Sequence, residues 1–364
     1  LQESAENSQP KAGETAGPLQ TSFSEEMFVP GRPPDPSITR VGSSNVCPAC
    51  QSAEVKTLCR GEDFLSRATE RLFLIVECKE CRMVRLYPRP DPVDLRRFYP
   101  LQEPGDAHAD APGFWKQMLR RFLFSDHVLF VRRALAEVPG NGPILDVNCG
   151  TGLFLRELNL PQHRLVGLDF SADSAAIAWA RNAVPAVCGA LPSAPFPAGA
   201  FSLITMFQVL EHLYDPSVYI EAAAQLLRPD GRLIVQVPNA SSWQFLLLGE
   251  RWSGLDIPRH LLLFKEEDLG NLLGFCGFEI VRQKRFSLRD DPLMLATSLA
   301  PGLSPEVRRS RGTGETPLAA IVKSALFGLL WLIALPIAAL ESVCHGGATL
   351  TMEARLKDAS NSPA

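Results

Sequence analysis

The sequence predicts an α/β protein. It reads as a doubly wound sheet of seven strands, preceded by a small cysteine-bearing module and interrupted near its end by an apolar helical insertion. Three observations carry this expectation. From residue 143 to about 240, short apolar runs alternate with runs of helical spacing, the rhythm of a parallel sheet covered on both faces. Two CxxC pairs stand ahead of that region, at Cys47–Cys50 and Cys78–Cys81. Residues 324–340 carry no charged side chain, a run near the lower limit for crossing a bilayer.

Composition is consistent with a large buried core: 46% of the 364 residues are hydrophobic and 21% charged. A net charge of -4 gives no general case for nucleic-acid binding. Residues 1–20 are polar and lack the apolar run of a secretory signal. Nine cysteines, an odd number with two tight pairs, favour metal binding in a reducing compartment over a disulfide framework.

Residues 1–45 are rich in Ser, Glu, Pro and Gly and read as a disordered tail. Residues 46–87 hold the four paired cysteines. Residues 88–113 carry six prolines and little apolar periodicity, and read as a linker. Over 114–138 apolar groups recur at helical spacing with arginines opposite. The main domain follows over 114–286. Its strands are "PILDVNC", "RLVGLDF", "VPAVCG", "FSLITMFQV" and "RLIVQVPN". Between them lie helices, one capped by Ser171 and one opened by Asp215-Pro216 and running to about Arg228. Pro229-Asp230-Gly231 reads as a turn. After residue 240 the pattern is irregular and aromatic, then a helix near 265–275 and a strand, "FEIVRQKRF", appear. Residues 287–346 form the apolar and arginine-containing insertion. "ATLTMEARLK", over 347–357, is a last strand, and 358–364 a tail.

The two CxxC pairs are separated by 27 residues. Two such knuckles can present four thiolates, Cys47, Cys50, Cys78 and Cys81, tetrahedrally to one structural zinc ion. Two local disulfides are the alternative. Lys79, Arg82 and Arg85 are placed in sequence to offset the negative charge. Cys59 reads as a spectator, and Cys149, Cys188, Cys276 and Cys344 as packing residues.

"ILDVNCGTGLF", residues 144–154, joins a strand to a glycine turn and then a helix. Glycines let the backbone approach a ligand closely, and a helix N-terminus offers unpaired N–H groups. Asp146 ends the strand and Gly150 and Gly152 line the turn. Some twenty residues later a second strand ends in Asp169, where a carboxylate can accept both hydroxyls of a ribose.

This run resembles the first motif of the class I S-adenosylmethionine-dependent methyltransferases, Asp-Val-Gly-Cys-Gly-Thr-Gly, with Asn148 at the first glycine. "GLDFSADSAAIAWAR", "FPAGAFSLITMFQVLEHLYDP" and "LLRPDGRLIVQVPN" are similar to the family's later segments, in order and spacing. The resemblance implies a Rossmann-like sheet and S-adenosylmethionine as cofactor. Asp146, Gly150 and Gly152 would hold its amino-acid part, with the Asn148 side chain near the methionine end. Asp169 would hold the ribose. Phe170 would cover the adenine, Ala190 and Leu191 would flank it, and Gln208 would sit near the sulfonium. Ser202 and Ala190 stand where the family usually has acids. The pairing with a zinc ribbon, and the exit "CRMVRLYPRPDPVDLRRFY", are similar to bacterial sugar C-methyltransferases.

Methyl transfer needs an aligned nucleophile and its base. His260 matches the histidine of a Tyr-x-Glu-His stretch proposed as the base in the sugar enzymes, but Ile257 and Arg259 replace the tyrosine and glutamate. Arg259 could instead bind an anionic group such as phosphate. His212 follows Glu211. In quinone O-methyltransferases a similar Glu-x-x-Glu-His segment holds a divalent metal, but Gln208 takes its first position here and argues against one. The alternative is a structural role, closing a helix over the cofactor.

Pro336 is expected to kink any helix over 317–340. A last strand returning to the sheet favours a membrane-touching insertion over a spanning helix, with Arg308, Arg309, Arg311 and Lys323 for anionic headgroups. The reading is thus a cytoplasmic methyltransferase, peripheral or monotopic at the inner face of a membrane. Its acceptor would be a small-molecule or lipid-linked sugar intermediate, methylated at oxygen or carbon, and no nucleic acid is involved. A membrane quinone-type O-methyltransferase and a non-catalytic binding module are the alternatives.

Overall fold

The computed structural model describes residues 46–99, 113–312 and 314–357. The tails expected over 1–45 and 358–364, and half of the linker, lie outside them. The N-terminal module is an antiparallel sheet of β1 (Val55–Gly61), β2 (Phe73–Cys78) and β3 (Val84–Tyr87). Its inner face, with Phe73, Ile75, Val84 and Leu86, is buried in the same core as the main domain.

The linker is partly wrong as read. Pro92–Arg97 is a short helix, α1, whose Leu95 joins the core. Asp91 accepts the Asp94 N–H at 2.7 Å and caps it. Proline is tolerated in a first helical turn because its missing N–H would have had no partner there. α2 (Phe114–Leu135) follows as expected.

The main sheet comprises β4 (Ile144–Val147), β5 (Leu165–Asp169), β6 (Ala186–Cys188), β7 (Phe201–Phe207) and β8 (Leu227–Pro238). They are separated by α3 (Leu153–Leu158), α4 (Ala172–Asn182) and α5 (Pro216–Leu226). Ser171 accepts the Ser174 N–H and Asp215 the Ser217 N–H, the two caps legible in sequence. α5 stops at Leu226 rather than Arg228, and Pro229-Asp230-Gly231 lies within β8, where the pairing with β7 shifts register between Phe201 and Leu203.

The irregular segment holds α6 (Trp243–Leu248) and a two-residue strand, β9 (Leu262–Leu263). β9 pairs antiparallel with β3, so the N-terminal sheet takes its fourth strand from the main domain. α7 (Glu266–Phe275) and β10 (Phe278–Lys284) follow, then α8 (Asp290–Leu299), α9 (Pro305–Ser310) and α10 (Pro317–Val343). β11 (Thr349–Leu356) inserts antiparallel between β8 and β10. The resulting order is β10-β11-β8-β7-β4-β5-β6, a mostly parallel Rossmann-like sheet of seven strands.

α10 runs unbroken through Pro336, so the expected interruption does not occur. Its mean hydropathy over the most apolar window is 2.2, and 11% of that window is buried. One face packs on the domain through Phe327, Ala334 and Ala338. Glu341 accepts from the backbone and side chain of Gln244 on α6. Leu318, Ile321, Leu329, Leu332, Ile337 and Leu340 are exposed along its length. The cations expected to meet headgroups are largely engaged elsewhere. Arg308 and Lys323 both pair with Glu315, and Arg311 donates to the carbonyls of Phe64 and Leu65. Arg309, though exposed, donates to the Pro305 carbonyl within its own helix.

Candidate functional site

The turn after β4 takes the conformation that its residues permit. Asn148, Gly150 and Gly152 have φ of 59°, 54° and 75°, the left-handed region. Asparagine enters it more readily than most side chains, so the family's glycine can be replaced without losing the turn. Space for a Cβ is open at Gly150, but at Gly152 a Cβ would meet those of Ala178 and Val184 at 3.1 Å. Asn182 closes the turn from α4, donating to the Thr151 carbonyl at 2.6 Å.

Two carboxylates end the adjoining strands. Asp146 is buried and accepts from Thr205 at 2.6 Å, and burial together with the charge of Asp169 pushes it up to about 7. Asp169 takes the Gly150 N–H on one oxygen at 2.7 Å and the Ser171 N–H on the other at 2.9 Å. Burial raises its pKa, and those two N–H groups oppose the rise. Each oxygen keeps a second lone pair, which is what a ribose diol needs. Phe170 is half-buried against Tyr219, and Leu191 is buried beside half-buried Ala190. Gln208, at φ 57° just past β7, has a buried Nε2 without a hydrogen-bond partner among the described residues. A buried amide left unpaired is costly, and a ligand carbonyl or carboxylate would satisfy it. These residues fit S-adenosylmethionine. Ser202 bears less on the cofactor than its sequence position suggests. It is buried at the opposite end of β7, where Arg228 donates to its hydroxyl at 3.2 Å.

The second cluster joins two segments that are far apart in sequence. His212 and His260 meet edge to face with ring centroids 4.6 Å apart. The Nδ1 of His212 lies 3.2 Å from the Arg259 carbonyl and 3.0 Å from the Tyr99 hydroxyl. The Nδ1 of His260 lies 2.8 Å from the Gly254 carbonyl. Burial, reinforced by His260, pushes His212 down to about 3, and burial also lowers His260. Arg259 is committed to Asp256 at 2.5 Å, which weakens its reading as a phosphate ligand. Nothing in the sequence marked Tyr99 or Asp256 as neighbours of these histidines. Glu211 lay inside a quoted motif, but its full burial came only with the fold.

The four paired cysteines do converge. Cys47 Sγ lies 3.5 Å from Cys81 Sγ, and Cys50 Sγ 3.5 Å from Cys78 Sγ, with all four sulfurs within 4.8 Å of one another. Zinc bonded tetrahedrally at about 2.3 Å needs sulfurs about 3.8 Å apart. The donor set fits zinc. Of the basic neighbours, Lys79 pairs with Glu54 and Arg82 with Glu77.

Comparison with known proteins agrees with this geometry. A family model described as a methyltransferase domain matches residues 114–283. The chain is 28% identical over 165 residues to a Mycolicibacterium smegmatis protein named a "probable S-adenosylmethionine-dependent methyltransferase", covering 44% of this chain and 60% of that one. It is 27% identical over 170 residues to the ubiquinone biosynthesis O-methyltransferase of Cronobacter sakazakii, covering 44% of this chain and 70% of the relative. A solved S-adenosylmethionine-dependent methyltransferase from Archaeoglobus fulgidus aligns with 66% of this chain and 99% of its own, at 15% identity and a TM-score of 0.41. The chain thus spans well under the full length of the first of these relatives. By its turn, its strand order, the family-model match and the Mycolicibacterium relative, the domain over residues 114–283 belongs to the class I S-adenosylmethionine-dependent methyltransferases.

Proposed function

We propose that this chain transfers a methyl group from S-adenosylmethionine to oxygen or carbon of a lipid-linked sugar intermediate at a membrane surface. The observation that carries the transfer is the left-handed turn of Asn148, Gly150 and Gly152, bonded through Gly150 to the strand-end carboxylate Asp169. Bound S-adenosylmethionine supplies an electrophilic methyl on a sulfonium. Asp169 would hold the ribose, Gly150 and Gly152 would let the backbone approach, and the unpaired Gln208 amide would orient the methionine end. Phe170, Ala190 and Leu191 would enclose the adenine. The Nδ1 of each imidazole faces a carbonyl, so Nδ1 carries the proton and Nε2 the lone pair. His212 and His260 therefore each offer one lone pair, toward a proton of the acceptor or toward a metal ion.

The acceptor class rests on α10, whose exposed apolar stripe suits a bilayer interface. Both ends and the middle of this helix are tied to one domain, which favours lying in the interface over crossing it. A quinone acceptor is the second reading, favoured by the name of the Cronobacter relative and by the same apolar stripe. Titration of the protein with S-adenosylhomocysteine in a calorimeter tests the cofactor half. Micromolar affinity, lost in Asp169→Ala, supports it. Absence of binding by folded, zinc-loaded protein would turn the reading to a non-catalytic module. Radiolabelled methyl transfer to lipid-linked sugars or to demethylated quinones then separates the acceptors.

A further inference from the structure

Glu211 is the one acid of the second cluster whose burial is not explained by a partner. Its side chain is 0% exposed, and both carboxylate oxygens lack a hydrogen bond among the described residues. An unpaired buried carboxylate is among the costliest groups a fold can hold. Nearby acids Asp256 and Asp290, by contrast, are each paired with an arginine.

The surroundings of Glu211 supply what a cation would need. One oxygen of Glu211 and one nitrogen each of His212 and His260 lie within 4.8 Å of one another. The two imidazoles arrive from different parts of the chain. His212 belongs to the turn after β7, and His260 to the segment before β9. Leu261 N–H donates to the Glu211 carbonyl at 2.7 Å, so backbone pairing holds the two segments together. Each Nδ1 faces a backbone carbonyl, at 3.2 Å for His212 and 2.8 Å for His260. That outer contact fixes the tautomer of metal-binding histidines and leaves Nε2 as the donor. Asp256 Oδ2 lies 3.7 Å from His260 Nε2, a further oxygen at the edge of the site.

We propose that Glu211, His212 and His260 bind a divalent transition-metal ion, a second metal site distinct from the four cysteines. Two imidazoles and one carboxylate suit iron(II), manganese, cobalt or zinc and leave coordination positions open. Bonds of about 2.0–2.2 Å would draw the three donors slightly inward. Gln208, which argued against a metal in the sequence, is not needed, because His260 supplies the third ligand. A bound ion would occupy both Nε2 lone pairs and with them the base role expected of His260. On the methyltransferase reading, an acceptor hydroxyl on the ion would give up its proton more readily. The metal assignment itself does not depend on that reading.

The test is a cobalt(II) titration of the metal-stripped full chain under reducing conditions, followed by absorption and by metal content. The cysteine site reports through intense thiolate-to-metal bands in the near ultraviolet. Occupation of the second site is expected to add weak visible bands and one further ion per chain after the thiolate bands saturate. Glu211→Gln, which keeps the shape and removes the charge, should lose that ion and at least tenfold in its affinity while retaining the thiolate bands. A wild-type protein that stops at the thiolate site would overturn the proposal, since Glu211 would then be a protonated acid. Retention of the second ion by Glu211→Gln and by His260→Gln would overturn it equally. If a variant fails to fold, the wild-type titration alone decides. S-adenosylhomocysteine binding, measured on the same samples, separates failure of this site from failure of the cofactor site.

Discussion

Asn148 holds a left-handed φ of 59° that glycine would take with less strain. Asn148→Gly should therefore raise stability by a few tenths of a kcal/mol and leave cofactor affinity at or above wild type, whereas Asn148→Ala should cost about 1 kcal/mol. Urea unfolding of the three proteins checks this. Asp146 offers a pH test. Burial first, then the charge of Asp169, raises it from 3.8 to about 7, against the opposing Thr205 bond. A carboxyl raised on folding contributes stability below its unfolded value, and that contribution is lost as pH rises through the folded one. The wild type should thus lose stability relative to Asp146→Asn between about pH 4 and 7. A constant difference across that window would contradict the assignment. At this scale the sequence was informative about types and poor about partners. Asp146, Asp169 and the glycines lie where the motif implied. The orphaned Glu211 carboxylate and the Nδ1 contacts of the two histidines arise from residues brought together only by the tertiary fold.

Strand–helix alternation exposed the five parallel strands of the main sheet, because the strands of a covered parallel sheet read as apolar runs. Elements held by tertiary context were less legible. α1 hid behind its prolines, and β9 is two residues long with no periodicity of its own. α10 was legible as an apolar run, but not its continuity through Pro336 or the use of Arg308, Arg311 and Lys323 inside the fold. The exposed stripe makes a direct prediction. Leu329→Glu combined with Leu332→Glu should abolish co-flotation with anionic phospholipid vesicles and leave S-adenosylhomocysteine affinity unchanged. Wild-type protein that stays at the bottom of the gradient would remove the membrane from the account.

In the whole molecule, the N-terminal sheet and the methyltransferase sheet share one hydrophobic core, from Phe73 and Ile75 through Trp252 to Val235 and Met352. Loss of an ion held by the four cysteines would therefore do more than loosen a peripheral module. Cys78→Ser is expected to lower the melting temperature by roughly 5–10 °C and to weaken metal binding at the site proposed for Glu211, His212 and His260, because β9 begins two residues after His260. Calorimetric melting with metal analysis would read both effects. A variant that melts as wild type would mean the ribbon stands alone.

The pairing of β3 with β9 joins residues near position 85 to residues near 262. A ribosome delivers the first long before the second. The cysteine module emerges while β3 still presents a bare edge, and such an edge invites pairing with any neighbouring chain. Only after β8 has been made does Leu262–Leu263 arrive to cover it. The short fourth strand thus makes an early part of the nascent chain wait for a later one. Synthesis of this protein leaves an interval of exposure that truncation before residue 262 would make permanent, as insoluble product.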